Sequence, residues 1–147
     1  MTFNGLPLHP LVVHATVVCL PVAALVALGY CVPRWRDRLR WPLLVLGIVS
    51  AGLVWLTSAS GHDLNDTRFA TATGLLAQRI QHHADLAGKL QVATYVFAGL
   101  TVLAAWLHHR PGVVRYALAV LLALAAIGVV VLCGMTGDAG ARAAWGQ

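Results

Sequence analysis

Four long apolar runs, very little charge, and arginines crowded into two short links predict an all-α integral membrane protein. The expected architecture is a four-transmembrane-helix bundle of two antiparallel hairpins, with a weak internal repeat. The chain of 147 residues is 59% hydrophobic and only 10% charged. Its apolar runs fall at approximately 11–32, 41–60, 86–107 and 113–135, each about 20 residues, enough for a helix to cross a ~30 Å hydrocarbon core. Within lipid the backbone must satisfy its own hydrogen bonds, so helix is the form such runs take. They use most of residues 1–147, and the chain reads as a single domain.

The net charge of +5 is not laid out as a nucleic-acid face. Arg34, Arg36, Arg38 and Arg40 sit in the link between spans one and two, and Arg110 and Arg115 flank the link between three and four. By the positive-inside rule both links are cytoplasmic, which puts both termini and the 61–85 loop outside. Arg68, Arg79 and Arg142 run against this trend, while Asp63, Asp66, Asp85 and Asp138 follow it. No basic n-region precedes the first run, so no cleavable signal is expected. Cys19, Cys31 and Cys133 have no outer partner and read as small packing residues.

Taken in order, span one opens at Pro10, where a missing N–H costs nothing, and contains Pro21, a kink or a tolerated membrane proline. Span two opens at Pro42 and carries a small-residue stripe, Gly47, Ala51, Ser58 and Gly61. Helix three should begin before the membrane, because Leu76, Ile80, His83, Ala87, Leu90 and Thr94 form one continuous helical face. Span four has a similar small-residue stripe at Ala119, Ala123, Ala126 and Gly134. Trp35, Trp41 and Trp106 mark the cytoplasmic interface. The repeat would pair Ser60-Gly61-His62-Asp63 with Thr136-Gly137-Asp138, and the histidines opening span one with those opening span three.

Five of the seven histidines lie at the outer ends: His9, His14, His62, His82 and His83. Histidine is rare in membrane spans and is a frequent ligand of metals and haem iron. His14 falls in line with Leu11, Val18 and Leu25 and is expected to face inward, opposite His83, with His9 left at the interface and His82 turned to solvent. Two facing imidazoles suit a six-coordinate haem b, its propionates near Arg68, Arg79 or Arg142. The competing reading is a zinc or copper ion held by His9, His14, His62 and His83, with Asp138 as a further donor. His108 and His109 read as interfacial residues without partners. Asp138, Arg142 and Trp145 would share one face of a final turn, either a lid folded back over the histidines or a frayed end.

The stretch Gly5-Leu6-Pro7-Leu8-His9-Pro10-Leu11-Val12-Val13-His14, then Ser60-Gly61 with Leu64, His83-Ala84-Asp85-Leu86, and Gly137-Asp138-Ala139-Gly140-Ala141-Arg142 with Trp145-Gly146 carry a resemblance over nearly the whole chain. It resembles a bacterial family of four-helix predicted membrane proteins, domain of unknown function 2231. Some relatives are fused to Rieske or c-type cytochrome domains, which implies membrane redox chemistry. The marked positions carried over are His9, His14, His83, Gly137 and Trp145. The chain departs from the pattern at Asp138, where many relatives have histidine, leaving an aspartate that could orient a ligating imidazole.

The function expected is a small haem b electron-transfer protein of the bacterial inner membrane, with quinol or a redox protein as partner. The alternative is a non-catalytic zinc- or copper-binding accessory subunit of a larger membrane redox complex, and homo-oligomerisation is compatible with either. No nucleophile–base pair or carboxylate pair points to hydrolysis.

Overall fold

The computed structural model describes residues 2–3 and 6–146, with side chains from Leu8 onward except that of Arg68. Gly5 of the opening motif and the Arg68 side chain lie outside the described residues. Four helices follow one another: α1 Leu8–Cys31, α2 Arg36–Arg68, α3 Gly74–Trp106 and α4 Val113–Trp145. A two-residue antiparallel pairing, β1 Thr2–Phe3 with β2 Leu6–Pro7, precedes them. Each helix packs on the next and α4 closes on α1, the tightest packing being within the hairpins α1–α2 and α3–α4. All four are long and apolar enough to cross a membrane. The protein is a four-helix membrane bundle in contact with lipid.

The helices are longer than the apolar runs. α2, α3 and α4 each have 33 residues, about 50 Å of helix against a ~30 Å hydrocarbon core. Most of the excess lies at the histidine end. The expected 61–85 loop shrinks to residues 69–73, and the expected tail is the last part of α4. The apolar run marks where a helix meets lipid, whereas helix propensity and packing decide where it stops. Gly74, at φ +63, allows the reversal into α3. α1 continues unbroken through Pro21.

The core is built from small and hydroxylated residues. Thr16, Ser50, Ser60, Thr94, Thr101, Ala24, Ala27, Ala104 and Ala126 are buried, while Val18, Leu25, Ile48, Trp55 and Ile127 are exposed. Lipid tails solvate leucine as well as a protein core does, so close packing of small residues holds such helices together. Gly47 illustrates this, because a side chain there would collide with the Thr101 hydroxyl.

The two hairpins repeat each other in structure. Buried Val12, Thr16, Leu20, Ala23, Ala24, Ala27 and Tyr30 of α1 match Leu86, Leu90, Thr94, Phe97, Ala98, Thr101 and Ala104 of α3 at one constant offset. Leu43, Gly47, Ser50, Val54 and Ser60 of α2 match Leu122, Ala126, Val129, Cys133 and Ala139 of α4 in the same way. In this register Gly61 corresponds to Gly140, not to Gly137, so the pairing read from Ser60-Gly61 and Thr136-Gly137 is off by about one turn.

Candidate functional site

An α-helical carbonyl is normally screened by the side chain four residues on, because each Cα–Cβ bond tilts toward the N-terminus. Glycine at that position uncovers it. The bundle uses this device twice. In α2, Gly61 bares the carbonyl of Thr57, and the His9 ring lies against it with Nδ1 donating at 3.0 Å. In α4, Gly140 bares the carbonyl of Thr136, and the His83 Nδ1 donates to it at 3.0 Å. A Cβ on either glycine would stand 3.0 Å from the imidazole Cε1. His9 and His83 are structural counterparts, and both are part-buried. With Nδ1 committed as donor, each ring keeps Nε2 as its bare nitrogen, and neither Nε2 has a partner among the described residues.

The surroundings differ in one respect. Ser60 Oγ lies 3.2 Å from His9 Nδ1 and also donates to Thr57 O at 3.0 Å, so His9 is held by two acceptors. Thr57 Oγ1 meets Thr16 Oγ1 at 2.8 Å. The counterparts of Ser60 and Thr16 are Ala139 and Leu90, which have no such groups, and Thr136 Oγ1 is buried without a partner.

His14 is exposed on the outside of α1, with Nδ1 only 2.6 Å from the carbonyl of Pro10 on its own helix. It does line up with Leu11, Val18 and Leu25, but all three are more than half exposed, so that stripe faces lipid and not the bundle. His14 and His83 are therefore not facing counterparts. His62 is also exposed, as is His82, which was expected to be. Among the described residues no three His, Cys, Asp or Glu side chains gather as a metal site.

α4 continues as helix to Trp145, which is 83% exposed, so the tail does not fold back as a lid. Asp138 and Arg142 do share a face and pair at 2.7 Å, but both are exposed, and Asp138 is spent on Arg142. Arg79 donates to the carbonyls of Arg142 and Gly146, capping the end of α4. With His82, Leu75, Gln78 and Ala139, Arg79 and Arg142 line a shallow cavity of about 230 Å³.

At the arginine end His108 is 8% exposed and has partners, contrary to its reading as an unpartnered interfacial residue. Its Nδ1 is 3.0 Å from Tyr30 Oη, and its Nε2 donates to Asp37 at 2.9 Å. Tyr30 donates to Ala104 O at 2.9 Å. Arg36, 7% exposed, donates to His108 O and lies over the Tyr30 ring, and Arg40 donates to Ala105 O. Hairpin one thus caps the free carbonyls at the C-terminus of α3. Sequence reading missed this because Tyr30, Arg36, Asp37 and His108 lie on three different segments. The one local hint is a tyrosine near the arginine-rich link.

Fold and site together define a four-helix membrane protein with a duplicated histidine clasp at one end. The chain belongs to the family described as predicted membrane protein DUF2231, whose model matches residues 5–147. Neither curated proteins nor solved structures give a match.

Proposed function

We propose that the protein is a small membrane haem b-binding protein for electron transfer, in which His9 and His83 are the residues that would hold the haem iron. The observation that carries this reading is the paired geometry in which Thr57 and Thr136 carbonyls anchor Nδ1 and leave Nε2 of both rings unused. Metal-ligating histidines nearly always make this anchoring contact through their other nitrogen. Two imidazoles are the donor set that a haem iron would take from the protein, whereas zinc or copper would want three or four protein donors. The polarity also fits: Gly61 and Gly140 let the two imidazoles reach the carbonyls, and Thr136 Oγ1 is a buried hydroxyl in need of an acceptor. A bound haem would supply a one-electron carrier, with quinol or a redox protein as the exchange partner.

The arginine-rich links support placing the histidine end on the periplasmic side of a bacterial inner membrane, with both termini outside. In a background lacking the native cysteines, Asp66→Cys should label with an impermeant reagent in intact cells and Asp37→Cys should not. The reverse pattern inverts the orientation.

The test of the haem reading is the visible spectrum of detergent-purified protein expressed with haem supplied. We expect a Soret band that His9→Ala and His83→Ala each remove and His14→Ala leaves. A folded protein with no Soret band, or a band that survives both substitutions, overturns the assignment.

A further inference from the structure

The seam between α2 and α3 carries a polar chain that the seam between α4 and α1 lacks. Ser58 Oγ donates to Gln91 Oε1 at 3.1 Å, and Gln91 Nε2 donates to Tyr95 Oη at 2.9 Å. All donation runs one way and ends on the Tyr95 hydroxyl, whose proton has no acceptor among the described residues. Tyr95 is 41% exposed. Its Cα lies nine residues into the third apolar run, about 14 Å along the helix, and the hydroxyl reaches back to Gln91, five residues into that run, where lipid tails offer no acceptor. Each donor in such a chain polarises the next, so the terminal O–H is a strengthened donor.

The internal repeat shows that this chain is no by-product of the fold. At the positions equivalent to Ser58, Gln91 and Tyr95 the other seam has Gly137, Val17 and Pro21, and at that of Trp55 it has Gly134. The histidine clasp is duplicated, but this feature occurs once. Beside the hydroxyl, Val92 and Val96 flank Tyr95 on α3, and Trp55 lies one turn from Ser58 on α2, all three more than half exposed.

We infer that the α2–α3 seam binds the headgroup of a lipid-soluble quinone, with Tyr95 donating to a ring carbonyl and Trp55, Val92 and Val96 contacting the ring and the start of the tail. The ligand must arrive through lipid, carry an acceptor and have little other polarity. A quinone meets all three requirements, whereas a phospholipid headgroup carries a charged phosphate. The inference concerns binding alone and does not depend on the haem reading.

The test uses the full chain in nanodiscs, titrated with decylubiquinone and followed by quenching of tryptophan fluorescence. A saturable isotherm is expected, with Kd raised about tenfold in Tyr95→Phe and Gln91→Leu, the loss of one buried hydrogen bond. Circular dichroism should show both variants folded. Excess decylbenzene, which has the tail and ring but no carbonyl and does not itself quench tryptophan, should not displace the quinone. Unchanged affinity in Tyr95→Phe, or displacement of the quinone by an equal concentration of decylbenzene, overturns the proposal. So does a wild-type protein that binds no quinone but shifts from dimer to monomer on Tyr95→Phe, which would give the hydroxyl to a second copy of the chain.

Discussion

Hairpin α1–α2 and hairpin α3–α4 bury matching positions along their whole length, yet they are stabilised differently. At the histidine end both hold an imidazole on a carbonyl bared by glycine, Thr57 with Gly61 and Thr136 with Gly140. At the arginine end the equivalence breaks, because Tyr30 of α1 donates to the carbonyl of Ala104, its own counterpart on α3. The clasp is kept in both halves and belongs to the repeated packing. The Tyr30 contact differs between them and joins one half to the other.

The comparison can be broken most severely at the arginine end. His108→Ala removes the partner of both Tyr30 and Asp37 beside the buried Arg36 guanidinium. It should destabilise the bundle by about 3 kcal/mol, measured by denaturant unfolding in detergent micelles. His109→Ala, whose ring meets His108 only edge-on, should cost far less. Equal losses would mean that the His108 contacts add little to stability.

Next in size are Gly61→Leu and Gly140→Leu. Each adds a side chain at 3.0 Å from an imidazole and covers the carbonyl again, an overpacking cost of about 2 kcal/mol. If the halves are equivalent the two losses should agree to within about 0.5 kcal/mol, a typical uncertainty for independent sites. Gly134→Leu, where an added Cβ meets nothing, serves as the control. A large gap between the two clasp variants breaks the symmetry argument.

The smallest effect sharpens the comparison. Ser60→Ala removes the second acceptor of His9 and makes hairpin one resemble hairpin two, while Ala139→Ser does the reverse for His83. Each change should move stability by about 1 kcal/mol, downward for the first and upward for the second. Nitrogen-15 shifts of the two imidazoles should converge in either variant, and rings that stay as different as in the parent would place the asymmetry elsewhere.

Much of the fold was legible from hydropathy, which located all four spans, and from the stripe through Leu76, Ile80, His83, Ala87, Leu90 and Thr94, whose residues are buried or partly so apart from the exposed Leu76. The site was only half legible. His83 was placed inward, but His14 was preferred to His9 because it lies on an apolar stripe. In water an apolar stripe marks the core. In a bilayer it can equally mark the lipid face, and the interior is recognised by Thr16, Ala24, Ser50 and Ala126. The T-x-x-x-G step shared by Thr57–Gly61 and Thr136–Gly140 was in view as letters, but its meaning depends on which ring approaches the bared carbonyl.

Composition and run length by themselves determined that this chain crosses a membrane as four helices, because a backbone in lipid has few ways to satisfy its hydrogen bonds. The order of residues along the chain also determined that five of the seven histidines gather at one end of the spans and that most arginines gather at the other. Only the tertiary structure decided that His9 and not His14 is the counterpart of His83, that His108 is buried against Tyr30 and Asp37, and that Tyr95 ends a chain of donors begun on another helix. Those outcomes depend on how the helices are rotated about their axes. With lipid outside and an apolar core inside, hydropathy barely distinguishes one rotation from another, and the contacts of a few glycines, threonines and serines settle it.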